Sequence, residues 1–163
     1  MAERARVVLR LIREIPRDML NAFKKETRAH WNIIKETENA EVKIGAFVGK
    51  ELVGFIAGRD QNLAEYNSPE IRFFYVPGLY VKQEFRRMNI GTRLVRKIGN
   101  EARKRGHNEF TMSRMTAPTK QILEKEQQRL ENKKWGKTKN ISITPFGLGL
   151  EGKIRFPRRR GPK

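Results

Sequence analysis

Hydrophobic positions along the chain follow two periods, and between residues 79 and 105 one gives way to the other. Leu79-Tyr80-Val81 reads as a short apolar strand, 82–90 as a tight polar loop, and 91–105 as an amphipathic helix. Leu94, Val95, Ile98 and Ala102 fall at helical spacing on one face, with Arg93, Arg96, Lys97, Asn100 and Lys104 elsewhere. Gly106 stands just past the last turn, where a left-handed cap calls for glycine.

Upstream, 5–12 reads as a first strand, and Pro16 opens a helix over 16–31, proline being common in a first helical turn. Met19, Leu20, Phe23 and Trp31 supply its apolar positions while Arg17, Lys24, Lys25 and Arg28 stay wet. The polar segment 32–40 reads as a short second helix. Apolar-rich strands at 41–48 and 51–58 bracket Gly49-Lys50, a two-residue hairpin signal. Residues 59–69 read as a polar loop and 70–81 as a long strand. There Ile71, Phe73 and Tyr75 alternate with Arg72, Phe74 and Val76, and apolar residues on both faces predict a central strand. Pro77-Gly78 is awkward for a central ladder and predicts a bulge or a break.

Beyond the 91–105 helix, 109–113 is the next strand, parallel to the previous one because a helix crosses over between them. Pro118 opens a charged helix to about 134, ended by Trp135-Gly136. Ile122, Leu123, Glu126 and Leu130 mark its face; Lys125, Gln128 and Lys133 point to solvent. Short strands at 140–145 and 150–156 close a single domain, 1–156, and 157–163 form a basic C-terminal tail. There is no internal repeat.

A strand feeding a helix through a tight loop leaves unpaired backbone N–H groups at the helix start. With the helix dipole they make an anion site. Arg86 and Arg87 just before the turn favour a phosphate. The stretch Arg86-Arg87-Met88-Asn89-Ile90-Gly91, after Leu79-Tyr80-Val81, resembles the pyrophosphate loop of the Gcn5-related N-acetyltransferase (GNAT) family, Arg/Gln-x-x-Gly-x-Gly/Ala. Asn89 stands at the first glycine; asparagine tolerates positive φ better than most residues and keeps its N–H. Leu52-Val53-Gly54-Phe55-Ile56 looks like the strand that precedes the cofactor-binding strand in that family, and the order of elements resembles its fold over nearly the whole chain.

The resemblance implies an α+β (α/β) fold: a mixed, mostly antiparallel central sheet flanked by helices. Its bulged central strand would splay from a parallel neighbour to admit the pantetheine arm and acetyl group. It implies acetyl-CoA as co-substrate, bound by Leu79, Tyr80, Val81, Arg86, Arg87, Met88, Asn89, Ile90, Gly91 and Thr92. The acceptor would be an amine on a protein N-terminus or lysine, an aminoacyl-tRNA or a small metabolite. One family feature is absent. Many members carry a tyrosine, a few residues before a Gly-Phe pair, as the acid for the leaving thiolate; aligning Trp135 with that aromatic puts Leu130 at the position.

Acetyl transfer needs a neutral amine, a stabilised oxyanion and a proton for the thiolate. The resemblance points to backbone N–H groups near Leu79 and Val81 for the oxyanion. Of the three tyrosines, Tyr66, Tyr75 and Tyr80, the last two lie on the strand beside the acetyl site and are the catalytic candidates, with Glu70 as candidate base. Glu84 and Glu109 are less well placed. There is no Gly-x-Ser-x-Gly elbow, and Asp18 and Asp60 are the only aspartates, so a Ser-His-Asp arrangement is not convincing.

Composition adds limits. Without cysteine, disulfides, thiolate zinc sites and a cysteine nucleophile are excluded; His30 and His107 lie far apart, and no metal site is expected. No apolar run approaches 18 residues and no secretory pattern opens the chain, so a soluble, cytoplasmic protein without a membrane partner is expected. The formal charge is +18. Lys82, Arg86, Arg87, Arg93, Arg96, Lys97, Arg103, Lys104 and Arg105 face only Glu84 and Glu101 within 82–105, and the tail adds more. Two readings follow: a surface for RNA, DNA or a ribosome, or a solvated, salt-bridged surface of a heat-adapted protein. The competing function is a catalytically inactive acetyltransferase-like module that binds nucleic acid or ribosome through that surface. A homodimer is compatible with the sequence.

Overall fold

The alternating first half of the chain folds into an antiparallel meander. In the computed structural model, which describes residues 6–63, 68–107, 109–112 and 116–132 and the strand segments 145–146, 149–150 and 152–155, β1 is Val7–Leu11, α1 Arg17–Thr27, α2 Trp31–Glu38, β2 Val42–Val48, β3 Glu51–Leu63 and β4 Ser68–Val81. A 3-10 turn at Gln83–Phe85 leads to α3 (Ile90–Lys104), β5 (Glu109–Met112), α4 (Ala117–Asn132), β6 (Pro145–Phe146), β7 (Gly149–Leu150) and β8 (Gly152–Arg155). The main sheet has six strands in the order β1-β2-β3-β4-β5-β8, and β6 and β7 pair separately. Only β4 and β5 run parallel; the other pairs in that sheet are antiparallel. The mixed, mostly antiparallel sheet is therefore the expected one, with β4 inside it.

Where the structure departs from the periodicity, a physical cause is visible. The helix expected over 16–31 ends early and the short second helix expected over 32–40 begins at Trp31: α1 stops at Arg28, which takes left-handed φ 51°, and the His30 side chain caps α2 by accepting from Asn32 N–H at 3.4 Å. Trp31 thus begins α2, 51% exposed, instead of packing in α1. Part of the expected 59–69 loop is strand, because β3 continues to Leu63. Ladder bonds are made by backbone and tolerate polar side chains that find partners. Arg59 donates to Glu36 and Gln61; Asp60 accepts from Arg105 and meets His107. Residues 64–67 lie outside the described residues, as does the Trp135-Gly136 terminator of α4.

Pro77-Gly78 makes a bulge, not a break. Ala57 pairs with Gly78 and Arg59 with Tyr75, so Val76 and Pro77 together oppose Gly58. A Cβ on Gly78 would stand 2.7 Å from a Thr37 methyl and 2.8 Å from its hydroxyl, so glycine lets α2 close on the strand at that point.

The two faces of the sheet have separate cores. One joins Val42, Ile44, Ile56, Phe74 and Val76 to Leu94, Val95 and Ile98 of α3 and Leu123 of α4. The other joins Phe55 and Ala57 to Met19, Leu20 and Phe23 of α1, with Ile33, Ile34 and Tyr80 packed against it. Leu79 and Val81 pack on the first, Tyr80 on the second. The helix α3 ends as its sequence predicts: Gly106 (φ 87°) donates to Arg103 O at 3.0 Å and His107 N–H to Ala102 O at 3.1 Å.

Candidate active site

The parallel ladder between β4 and β5 is short. It runs from Phe74↔Phe110 to Val76↔Met112, whereas β4 continues to Val81. β5 ends at Met112, so past the bulge that edge of β4 faces a gap in the ladder among the described residues. Alternation fixes what β4 presents to that gap. Lys82 N–H donates to Val53 O at 2.8 Å, facing β3. Antiparallel ladders alternate bonded and non-bonded pairs, so Tyr80 and Gly78 also face β3 and the N–H groups of Leu79 and Val81 face the gap. The Val81 carbonyl, on the same side, accepts from Arg86 Nε at 2.9 Å, as that geometry requires.

The next turn supplies a second set of donors. Arg87 (φ 67°) and Asn89 (φ 60°, ψ 19°) are left-handed, and Asn89 is the N-cap of α3 with no side-chain cap bond. The first helical bond is Arg93 N–H to Asn89 O at 3.2 Å. The N–H groups of Ile90, Gly91 and Thr92 therefore lack intrahelical acceptors and stand at the positive end of a fifteen-residue helix.

Both sets of donors border one cavity of about 840 Å³. Phe23, Glu26, Thr27 and Tyr80 line it from the α1 side, Ile90, Gly91 and Thr92 from the start of α3, and Ile122, Lys125, Glu126 and Arg129 from α4. Pro77, Leu79 and Val81 complete the wall. A cofactor with a pyrophosphate and a narrow arm fits these residues: free N–H groups at a helix start, cations beside them, and an unpaired strand edge leading inward.

Two carboxylates in the wall differ. Glu126 is 3% exposed; Arg96 Nε lies 2.9 Å from both its oxygens and Arg129 Nε 2.8 Å from Oε2. Burial pushes its pKa up, but those hydrogen bonds outweigh burial and hold it below the ordinary value. Glu26 pairs with Arg86 alone among the described residues, both side chains being more than a third exposed. Tyr80, with the Arg86 guanidinium 6.0 Å from its ring centre, has its pKa raised by burial first and then by the charge of Glu26, so it stays a neutral hydroxyl at pH 7.

Of the residues expected to bind cofactor, Leu79, Tyr80, Val81, Arg86, Arg87, Asn89, Ile90, Gly91 and Thr92 line the cavity. Met88, 38% exposed, sits in the same turn. Tyr75 does not share the cavity wall with Tyr80; it pairs with Thr111 in the closed part of the ladder. Glu70 opens β4, nine residues before Leu79, roughly 30 Å away along an extended strand. The α1 contribution was missed, since no motif marks Phe23, Glu26 or Thr27. Glu126 carried a signal: a carboxylate on an apolar helical stripe needs a partner when buried.

The basic stretch 82–105 is less free than its composition suggests. Lys82 pairs with Glu51, Arg86 with Glu26, Arg96 with Glu126, Lys104 with Glu101, and Arg105 with Glu41 and Asp60. Among the described residues no helix is long and apolar enough to cross a membrane, and no acid-histidine cluster could hold a metal ion.

A profile of the Acetyltransferase (GNAT) family matches residues 8–119. No curated protein matches the sequence. The fold is shared with an aminoglycoside 6'-acetyltransferase type Ii at 17% identity, over 94% of this chain and 99% of that one, TM-score 0.60. A Bacillus subtilis acetyltransferase in complex with CoA is 12% identical over 93% and 99%, TM-score 0.60. A ribosomal-protein-alanine N-acetyltransferase from Brucella melitensis is 18% identical over 74% and 90%, TM-score 0.55.

Proposed function

Because the chain belongs to the acetyltransferase (GNAT) family, with acetyl-CoA as co-substrate, we propose that it transfers the acetyl group to an amine and that the cavity between β4 and α3 is where it does so. One observation carries this reading: the inward N–H groups of Leu79 and Val81 and the free N–H groups of Ile90, Gly91 and Thr92 border the same cavity.

Acetyl-CoA supplies an activated thioester carbonyl. The start of α3 holds the pyrophosphate through backbone N–H groups, and Arg87 adds charge. The Leu79 and Val81 N–H groups stabilise the oxyanion as the amine nitrogen adds to the carbonyl carbon. Carbon–sulfur cleavage then releases a thiolate, Tyr80, a neutral hydroxyl at pH 7, gives it a proton, and the proton shed by the acylated nitrogen passes through water to restore the Tyr80 hydroxyl. Tyr75 pairs in the closed ladder, and no step is assigned to Glu70. The ion pairing along α3 favours the salt-bridged reading of the basic surface over the nucleic-acid one.

Calorimetric titration with acetyl-CoA and with desacetyl CoA over rising salt tests the proposal. A specific site gives saturable one-to-one binding that persists as salt rises. Attraction of polyphosphate to a +18 protein alone gives weak binding that vanishes with salt, and that result overturns the reading.

A further inference from the structure

The cavity wall is strongly basic. An amine acceptor arriving as its ammonium form meets Arg86, Arg87, Arg96, Lys125 and Arg129. A cation needs an anion to rest on, and the described lining residues offer two. Glu126 is buried and already shared between two guanidiniums. Glu26 is shared with one, on the exposed side of the cavity, within the field of the Tyr80 hydroxyl.

Its partner is informative. Arg86 belongs to the turn that leads into the α3 donors, yet it reaches across to α1, sixty residues earlier in the chain. Its Nε is fixed to the Val81 carbonyl while the terminal nitrogen meets Glu26. The guanidinium therefore lies between the cavity's phosphate-binding end and its α1 wall. An ion pair with both members more than a third exposed is a weak restraint, easily exchanged for a better anion. A pyrophosphate offers one, and a guanidinium matches phosphate oxygens in a bidentate way.

We propose that Glu26 is the subsite for the acceptor's ammonium group, and that Arg86 covers it until Arg86 turns to the cofactor's phosphates. The acceptor class is then a primary amine bound in its charged form, which gives a proton to water before its nitrogen adds to the thioester, and amine binding follows cofactor binding. This rests on the acetyltransferase reading above. Glu26 is here a binding residue and performs no covalent step.

The experiment has two arms on the full chain. In the first, desacetyl CoA is titrated into wild type, Glu26→Gln and Glu84→Gln. Glu26→Gln removes the competitor for Arg86 and tightens binding about two- to fivefold. Glu84→Gln removes the same charge from the neighbouring turn without touching the pair and stays within about twofold of wild type. In the second, ethylenediamine, cadaverine, spermidine and a lysine-containing peptide are titrated by saturation-transfer NMR against free and CoA-saturated protein. At least one binds the saturated wild type, about two- to fivefold more weakly the free protein, because linkage is reciprocal, and not the saturated Glu26→Gln. Glu26→Asp restores part of that binding, and circular dichroism confirms that each variant is folded.

Equal amine affinity with and without CoA, amine binding retained in Glu26→Gln, or no amine binding to the saturated wild type overturns the proposal. If desacetyl CoA itself fails to bind wild type, the acetyltransferase reading falls first. If it binds while the Glu26 results fail, only this inference falls.

Discussion

The cavity's two arginine–glutamate clusters use the same chemistry for different ends. At Arg96–Glu126–Arg129 a buried carboxylate ties α3 to α4, with three contacts of 2.8–2.9 Å. At Arg86–Glu26 a half-exposed carboxylate ties the turn before α3 to α1. Burial decides the difference. A desolvated carboxylate must keep its partners, because losing them leaves an unpaired charge out of water. A solvated pair gains little from staying together and can trade partners. The α3–α4 wall is thus built to hold still and the α1 wall to respond to what binds.

The comparison can be broken at the helix start. Gly91→Glu puts a carboxylate against the free N–H groups of α3 and is expected to abolish desacetyl CoA binding in calorimetry. A Cβ at Gly91 meets only the tip of Ile122, at 2.8 Å, so the fold is expected to survive by thermal melting. Next in size, Tyr80→Phe removes the neutral hydroxyl on the α1 side while keeping its packing. If Tyr80 is the acid, turnover falls about a hundredfold with cofactor affinity unchanged. Unaltered turnover assigns the proton to another donor.

The stability contrast is smaller and more direct. Glu126→Ala leaves Arg96 and Arg129 side by side without their anion and is expected to cost about 2 kcal/mol in urea unfolding. Glu26→Ala is expected to cost under about 1 kcal/mol. Equal costs would erase the distinction between the walls. The smallest effect is on pH. The folded pKa values of Glu126 and Asp60 lie below the ordinary 4.5 and 3.8, since the hydrogen bonds from Arg96 and Arg129 and those from His107 and Arg105 outweigh burial. The unfolded chain takes up protons first as pH falls. The stability of both groups is therefore present above the ordinary carboxylate values and is lost as pH drops through the lower folded ones. Glu126→Gln is expected to flatten that part of the unfolding profile.

The elements easiest to read were those where local and tertiary preferences agree. The amphipathic 91–105 pattern became α3, shifted by one residue, because its apolar stripe is the face that packs on the sheet. Asn89 adopted the left-handed conformation its place in the pattern demands. The errors fell where side-chain pattern and backbone need diverge. Polar 59–62 looked like loop and is strand, its ladder made by backbone, with Arg59 bonded to Glu36 of α2 and Asp60 meeting Arg105 and His107 just past α3. Trp31 looked like core, but a left-handed Arg28 turns the chain before it.

By itself the sequence determined the order of elements, an irregularity at Pro77-Gly78 and the turn from Arg86 to Thr92, because each follows from contacts within a few residues. Only the tertiary structure decided which carboxylates the cavity carries. Glu26 comes from α1 and Glu126 from α4, on opposite faces of the sheet. No local preference brings them to one cavity; the packing of α1 and α4 around the gap beside β4 past Val76 does. Their different roles follow from depth of burial, which depends on how helices distant in the chain pack around that gap.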